Sequence, residues 1–352
     1  MHLKPMPSKP DKQRLKLAVS GTGFFSRFHY RAWKRIPEID LAAVCNRSVE
    51  RAQDFATEFG IPKVFSDFET MLAAAEVNLV DIVTPPETHL ASIAAAAKYR
   101  VNIICQKPFC GNLEEAQEAI AIAADAGIKI VVHENFRFQP WYHAIRKLLE
   151  ADVLGRIYQA QFRLRPGDGQ GDAAYLDRQP YFQRMPRFLI HETGIHLIDV
   201  FRYLFGEVDS VIAALRKLNS AISGEDSGIV IFDMTSGARC VFDGNRLADH
   251  VAENRRLTMG ELLIEGSKGS LRLDGDGNIW IRSFLANEEH KHHYEWSNVD
   301  FGGDCVFRFQ RHVVDHLLRG DVLHNSAADY LTNIRVEEAV YASSKQGCRI
   351  PI

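Results

Sequence analysis

A chain of 352 residues with 46% hydrophobic and 25% charged residues has the make-up of an ordinary globular protein and the length for about two domains. Its formal net charge of −3 gives no cationic excess to neutralise a phosphate backbone or an anionic bilayer, so neither nucleic acid nor membrane is expected as a partner and small solutes are. Six scattered cysteines without a CxxC pair read as free thiols, and with no apolar run suited to a signal peptide or membrane span, a cytoplasmic protein is expected.

Residues 1–14 are polar and rich in Pro and Lys, and are expected to be a flexible tail. From Leu15 to about His133, short β-rich runs alternate with amphipathic segments. Strands are predicted at Leu15–Val19, Leu41–Val44, Val64–Phe65, Val80–Val83, Val101–Cys105 and Ile128–His133, with helices at Ser48–Phe59, Thr88–Tyr99 and Leu113–Ala126 closed by Gly60 and Gly127. That order implies βαβ units and a doubly wound parallel sheet, a Rossmann domain over 15–137.

Past Phe138 the pattern changes. A helix at Trp141–Glu150 precedes a period-two strand with Ala160, Phe162 and Leu164 on one face and Gln161, Arg163 and Arg165 on the other. Further strands are predicted at Val211–Leu215, Ile229–Asp233, Arg239–Asp243, Leu257–Glu265 and Ile279–Arg282, and helices at Cys305–Leu318 and Ala327–Ser344. The expectation is an α/β protein whose second domain, 138–352, is α+β with a mostly antiparallel sheet, its last helix packing back on the first domain.

The first strand runs into Gly21-Thr22-Gly23-Phe24-Phe25-Ser26 and then a helix, a GxGxx(G/A/S) element at the first βα turn. Gly21 permits the tight turn, Gly23 removes a side chain from the path of a pyrophosphate, Ser26 is small enough for close packing, and the amides at the helix start attract the anion. This context reads as dinucleotide binding, with a plain strand-to-helix turn as the bland alternative. After the second strand stands Asn46-Arg47-Ser48, where an NAD enzyme usually carries an acid for the ribose hydroxyl. Arg47 suits a 2′-phosphate, so NADP is slightly favoured; Asn46 bonding a bare ribose and Arg47 stacking on adenine keep NAD open.

Thr84, Pro85 and Lys107 follow the fourth and fifth strands, so they border the cleft at the carboxyl ends of the sheet. Desolvation and a cationic nicotinamide can lower the pKa of an amine, which makes Lys107 a proton-exchanging group; a surface lysine is the plainer reading. Glu192 and His196 stand four apart, on one face of a helix, where the carboxylate can orient the imidazole as an acid/base pair.

Thr84-Pro85 through His89, Gln106-Lys107-Pro108 and Glu192 through His196, together with the glycine loop, resemble the TPxxxH, EKP and DxxxH elements of the glucose–fructose oxidoreductase/inositol dehydrogenase (Gfo/Idh/MocA) family over nearly the whole chain. The resemblance implies a nicotinamide-dependent hydride transfer at a hydroxyl or carbonyl carbon of a sugar, cyclitol or related polyol, with His89, Gln106 and Asn135 joining the cofactor-lining set. It also implies pairing into homodimers or homotetramers through an open face of the second sheet. Two positions depart from the family pattern. Glu192 stands for aspartate and keeps the chemistry, whereas Gln106 stands for glutamate and removes a negative charge beside Lys107. The Gln106 variant, with His133–Trp141, is similar to aldose dehydrogenases of the family such as those acting on apiose.

Other residues carry two readings each. In the crossover His133–Tyr142, Arg137 either reaches the substrate mouth or locks the two domains together. Asp199 either binds substrate or serves as a hydrogen-bond partner. Trp141, Tyr142 and Tyr181 either stack on a sugar face or fill the core. A metal at His191, Glu192, His196 and Asp199 is disfavoured because His191 and His196 are five apart, and the run His290–His293 reads as a solvated hairpin or loop. No GxSxG elbow supports a hydrolase. A non-catalytic nucleotide sensor on the same fold is the rival function, opposed by the presence of Lys107, Glu192 and His196.

Overall fold

The computed structural model describes residues 14–352; the tail expected at the N-terminus falls on residues 1–13, outside the described residues, and Arg14. In chain order the first domain comprises β1 (Leu15–Ser20), α1 (Ser26–Trp33), β2 (Ile39–Cys45), α2 (Val49–Phe59), β3 (Lys63–Phe65), α3 (Phe68–Ala75), β4 (Leu79–Ile82), α4 (His89–Lys98), β5 (Asn102–Gln106), α5 (Leu113–Ala126) and β6 (Ile130–His133). Its six strands are parallel and lie in the order β3-β2-β1-β4-β5-β6. The order reverses between β1 and β4, and a crevice for a ligand opens there at the carboxyl ends of the strands. β1 and β4 are buried on both faces, the consequence of helices covering both sides of a parallel sheet.

Local signals close the helices. α5 starts on Asn112, whose side chain accepts from the Glu115 amide while Glu115 accepts from the Gly111 amide, and it ends on Gly127 at φ 68°. Gly60 ends α2 in the same left-handed conformation.

The second part adds α6 (Pro140–Glu150), β7 (Ile157–Leu164), α7 (Ile195–Phe205), β8 (Val208–Arg216), β9 (Ser227–Met234), β10 (Arg239–Asn245), β11 (Gly260–Gly266), β12 (Gly269–Leu273), β13 (Ile279–Ser283), β14 (His290–His292), α8 (Phe301–Arg319), α9 (Ala327–Gln346) and β15 (Ile350–Pro351). The nine strands form one sheet, antiparallel except where β10 runs parallel to β7. Phe162, Phe242 and Phe232 face inward onto Trp141 and Tyr142 of α6, Phe201 of α7 and Val340 of α9 in one buried cluster. Leu257–Met259 do not join β11 as expected, because Met259 adopts φ 60° and breaks the extended run. The His290–His293 run contributes the short exposed edge strand β14.

Both closing helices return to the first sheet. α8 packs Val306, Phe309 and Val313 against α1 and the turn at Phe136–Phe138, and α9 packs Ala327, Tyr330 and Ile334 against α5. α8 opens on a left-handed turn, Gly302, Gly303 and Asp304 at φ 57°, 66° and 68°, with the Asp304 carboxylate held by both terminal nitrogens of Arg35 at 2.7 Å.

Candidate active site

The glycine loop is built for an anion. Gly21 adopts φ 117°, and a Cβ there would lie 2.2 Å from the Val83 carbonyl oxygen, so only glycine lets the loop touch the β4 end. A Cβ on Gly23 would meet nothing closer than Ser26 Oγ at 3.8 Å; this glycine keeps open space rather than a strained backbone. Ser26 is buried and accepts from the Gly23 amide at 3.0 Å. Among the described residues the amides of Phe24 and Phe25 bond no protein group, which leaves them for a pyrophosphate at the start of α1. Phe25 packs edge-on against Phe301 of α8 while Phe24 stands out in the cleft. At the end of β2, Asn46 donates to the Ser48 carbonyl and Arg47 is exposed, with no side-chain partner among the described residues.

Lys107 follows β5 and its Nζ donates to the Glu192 carbonyl at 2.6 Å and to Glu192 Oε1 at 3.1 Å. Burial alone would raise the Glu192 pKa, but Lys107 and then Arg246 outweigh it and hold this carboxyl well below the usual carboxylate range. Arg246 is itself buried, donating to Thr193 Oγ1 at 2.8 Å and pairing with Asp168 at 3.0 Å.

His196 corrects the expected pairing. Its Nδ1 lies 2.6 and 2.8 Å from the two oxygens of Glu134, and its ring stacks on Phe136 at 3.9 Å. Residues Leu189–Gly194 form a π-helical turn, so the four-residue spacing does not stack Glu192 on His196 as an α-helix would. The carboxylate comes instead from the crossover after β6. With Nδ1–H donating to a buried carboxylate, Nε2 is the lone-pair end, and it meets no protein partner among the described residues. Burial pulls Glu134 up, but His196, the Phe136 amide and Lys107 together hold it below the usual carboxylate range, so it stays charged. Glu134 also feels Lys107 and Glu192 feels His196, so the two ion pairs share one electrostatic neighbourhood.

Several predicted contacts are redirected. His89 is buried with Nε2 on the Thr84 carbonyl at 2.8 Å and Nδ1 accepting from the Cys110 amide at 3.4 Å; it staples two cleft loops and is turned away from any cofactor. Gln106 is also occupied: its Oε1 accepts from the Lys107 amide at 2.7 Å and its Nε2 lies 3.2 Å from His29 Nε2. His29 in turn reaches Asp81 through Nδ1 at 2.8 Å. Arg137 and Asp199 form a buried bidentate pair at 2.7 and 2.5 Å, and Asn333 of α9 donates to Asp199 at 2.9 Å. Neither is free for substrate; they clamp the crossover to α7 and α9. Trp141 and Tyr142 are wholly buried, Trp141 against Trp296, and belong to the core. Tyr181 alone of the three predicted aromatics is exposed, within electrostatic reach of Glu192. Thr84, whose hydroxyl lies 2.7 Å from that of Thr88, and Pro85 follow β4 at the carboxyl end of the sheet, and the Asn135 side chain bonds no protein group among the described residues.

Sequence reasoning missed Glu134, Arg246 and Asp168. Glu134 had a readable signal, an acid directly after a parallel strand at the ligand-binding edge. Arg246 and Asp168 had none, since they meet the site only through strand pairing and a long loop.

An interdomain cleft that sets a pyrophosphate loop beside a lysine and a carboxylate-oriented imidazole defines a nicotinamide-dependent oxidoreductase. The description "Oxidoreductase family, NAD-binding Rossmann fold" matches residues 15–134, and the "GFO/IDH/MocA C-terminal domain" matches residues 142–272. The chain is 32% identical over 343 residues to a D-apiose dehydrogenase of Paraburkholderia graminis, covering 95% of this chain and 89% of that protein. It is 30% identical over 346 residues to a D-apiose dehydrogenase of Rhizobium rhizogenes, with 96% and 97% covered. An oxidoreductase from Agrobacterium radiobacter, solved in complex with NAD+, L-tartaric acid and magnesium, shares 28% identity and a TM-score of 0.87 over 96% of this chain and 98% of that one. The chain belongs to the GFO/IDH/MocA family and is an NAD(P)-dependent dehydrogenase acting on CH–OH groups. Among the described residues no helix is long and apolar enough to cross a membrane.

Proposed function

We propose that the substrate is a polyhydroxylated sugar or related polyol and that His196 moves the proton of the reacting hydroxyl while Lys107 holds its oxygen. The observation that carries this reading is the free Nε2 of His196, whose other nitrogen is fixed by Glu134, beside an ammonium group held by Glu192. The free amides of Phe24 and Phe25, the open space over Gly23, and Thr84, Pro85 and Asn135 are the groups that would hold the dinucleotide. When bound, the nicotinamide supplies the two-electron acceptor for the carbon. Lys107 Nζ uses two donors on Glu192 and keeps a third for the substrate oxygen, where its charge lowers the cost of a developing alkoxide. His196 Nε2 takes the proton, and Glu134 stabilises the imidazolium that forms. The names of the two D-apiose dehydrogenases support an aldose as substrate.

For the cofactor, the exposed Arg47, whose side chain has no partner among the described residues, supports NADP, while the NAD+ complex of the Agrobacterium relative supports NAD. We favour NADP slightly on the arginine. One experiment tests the whole reading: a panel of aldoses, cyclitols and polyols assayed with both cofactors, on wild type, His196→Ala and Lys107→Ala. Each variant is expected to lose roughly 100-fold or more in kcat, as removal of a positioned acid or base does. Near wild-type kcat in both variants would remove the assignment, and tighter NADH than NADPH binding would reverse the cofactor preference.

The outer face of the second sheet supports homo-oligomers. Ile212, Ile231, Val241, Gln161 and Leu263 sit opposite one another on β8, β9, β10, β7 and β11, an uncovered and largely apolar row. Ile231→Glu is expected to give monomers by light scattering; an unchanged mass would rule out this face.

A further inference from the structure

A chain of ion pairs runs from Lys107 into the second domain, and an unpaired arginine lies near it. Lys107 meets Glu192 at 3.1 Å, Glu192 meets Arg246 at 3.4 Å, Arg246 meets Asp168 at 3.0 Å, and Asp168 meets Arg178 at 3.2 Å. Signs alternate along this chain and both ends are positive. Arg256, in the loop before β11, lies within electrostatic reach of Arg178, Asp168, Glu192 and Arg246, yet its side chain makes no hydrogen bond or ion pair among the described residues. Around it Lys107, Arg246 and Arg178 stand against Glu192 and Asp168, and Arg256 adds a fourth cation with no carboxylate paired to it among the described residues.

Arg256 is not a loose surface residue. It lines an interdomain cavity of about 250 Å3 with Phe24, Phe28, Asn254 and Phe301, between the glycine loop and the second domain. Asp300, on the same wall, caps the Phe301 amide at 2.9 Å and faces Arg31 at 3.8 Å. Burial and then Arg178 both lower the Arg256 pKa from the ordinary arginine value, as expected for a guanidinium partly withdrawn from water beside another cation. A half-buried arginine without a counter-ion costs free energy unless an anion arrives with the ligand, and its planar fork matches a carboxylate.

We propose that the substrate is a sugar acid, a polyhydroxylated monocarboxylate whose carboxylate is bound by Arg256. This rests on the dehydrogenase reading above and narrows its substrate class. The other anion that could reach this arginine is the pyrophosphate of the dinucleotide, and the test separates the two.

The test compares matched neutral and acidic sugars, D-glucose with D-glucuronate and D-galactose with D-galacturonate, using both cofactors. It is run on wild type, Arg256→Gln and Arg256→Lys, with cofactor Kd measured by fluorescence titration and folding checked by thermal melting. Wild type is expected to favour the acids in kcat/KM by about 10- to 100-fold, the range of one charge-assisted hydrogen bond. Arg256→Gln should erase that preference through KM, and Arg256→Lys should keep part of it. Equal or better turnover of neutral sugars overturns the sugar-acid assignment and leaves the dehydrogenase reading intact. A raised cofactor Kd in Arg256→Gln with the acid preference unchanged overturns it in favour of the pyrophosphate. Failure of every sugar, neutral or acidic, to reduce either cofactor overturns both readings.

Discussion

Gln106 replaces a family carboxylate, and its surroundings give the reason an amide fits. His29 uses Nδ1–H on Asp81, which also accepts from Trp33 Nε1 at 2.7 Å, so His29 Nε2 offers a lone pair that the Gln106 amide can fill. The other end of that amide accepts from the Lys107 backbone. Gln106 is thus a positioning residue, tying the lysine's backbone to a buried histidine. Gln106→Glu would replace the amide N–H that meets His29 Nε2 with a carboxylate oxygen. The expected outcome is a fall in kcat/KM of about 10-fold, the scale of one lost hydrogen bond. An unchanged kcat/KM would show that the residue does not position the lysine.

At the scale of elements, the site is made by ends rather than middles: the loop between β1 and α1, the residues after β4, β5 and β6, and the π-helical turn before α7. The two loop glycines do different work. At Gly21 a side chain collides with the Val83 carbonyl and the backbone is left-handed, so Gly21→Ala should destabilise the fold by about 1–3 kcal/mol and weaken cofactor binding together. At Gly23 an added methyl group meets only ordinary contacts. Gly23→Ala should leave the melting temperature nearly unchanged while cofactor Kd rises at least about 10-fold, because the methyl group occupies the space of the pyrophosphate. If both variants changed stability equally, the two roles would not be separable.

Across the whole molecule, burial keeps several histidines uncharged. His89 and His133 are held below the ordinary histidine range by burial, and His143 is pulled down to about 4 by burial and then by Arg308. A histidine that stays neutral when folded binds its proton first in the unfolded chain. Stability is therefore full above the unfolded pKa near 6.5 and declines as pH falls toward the folded value. His143 alone should remove about 2 kcal/mol between pH 7 and pH 5. His191 opposes this in part, because Glu337 outweighs burial and raises its pKa. Urea denaturation at the two pH values checks the balance: lower stability at pH 5 is expected, and equal stability would mean these rings are solvated or protonated in the folded protein.

Much of this was written in the order of residues along the chain. Alternating apolar runs, glycine caps and the Gly21–Ser26 loop dictate a Rossmann domain because each is a local requirement of strand, helix end or turn. Lys107 was legible because it follows a strand at the edge where ligands bind, and His196 because it stands four residues after an acid on a predicted helix. Their partners were not. Helical spacing pointed to Glu192 for His196, but a π-helical turn changed the phase and brought Glu134 from another domain. Arg137, Asp199 and Trp141 looked equally suited to substrate or core, and only packing turned them inward. Sequence determines what each residue can do locally; which charge neutralises which, and which is left facing the ligand, depends on contacts between residues distant in the chain, as for Arg246 and Arg256.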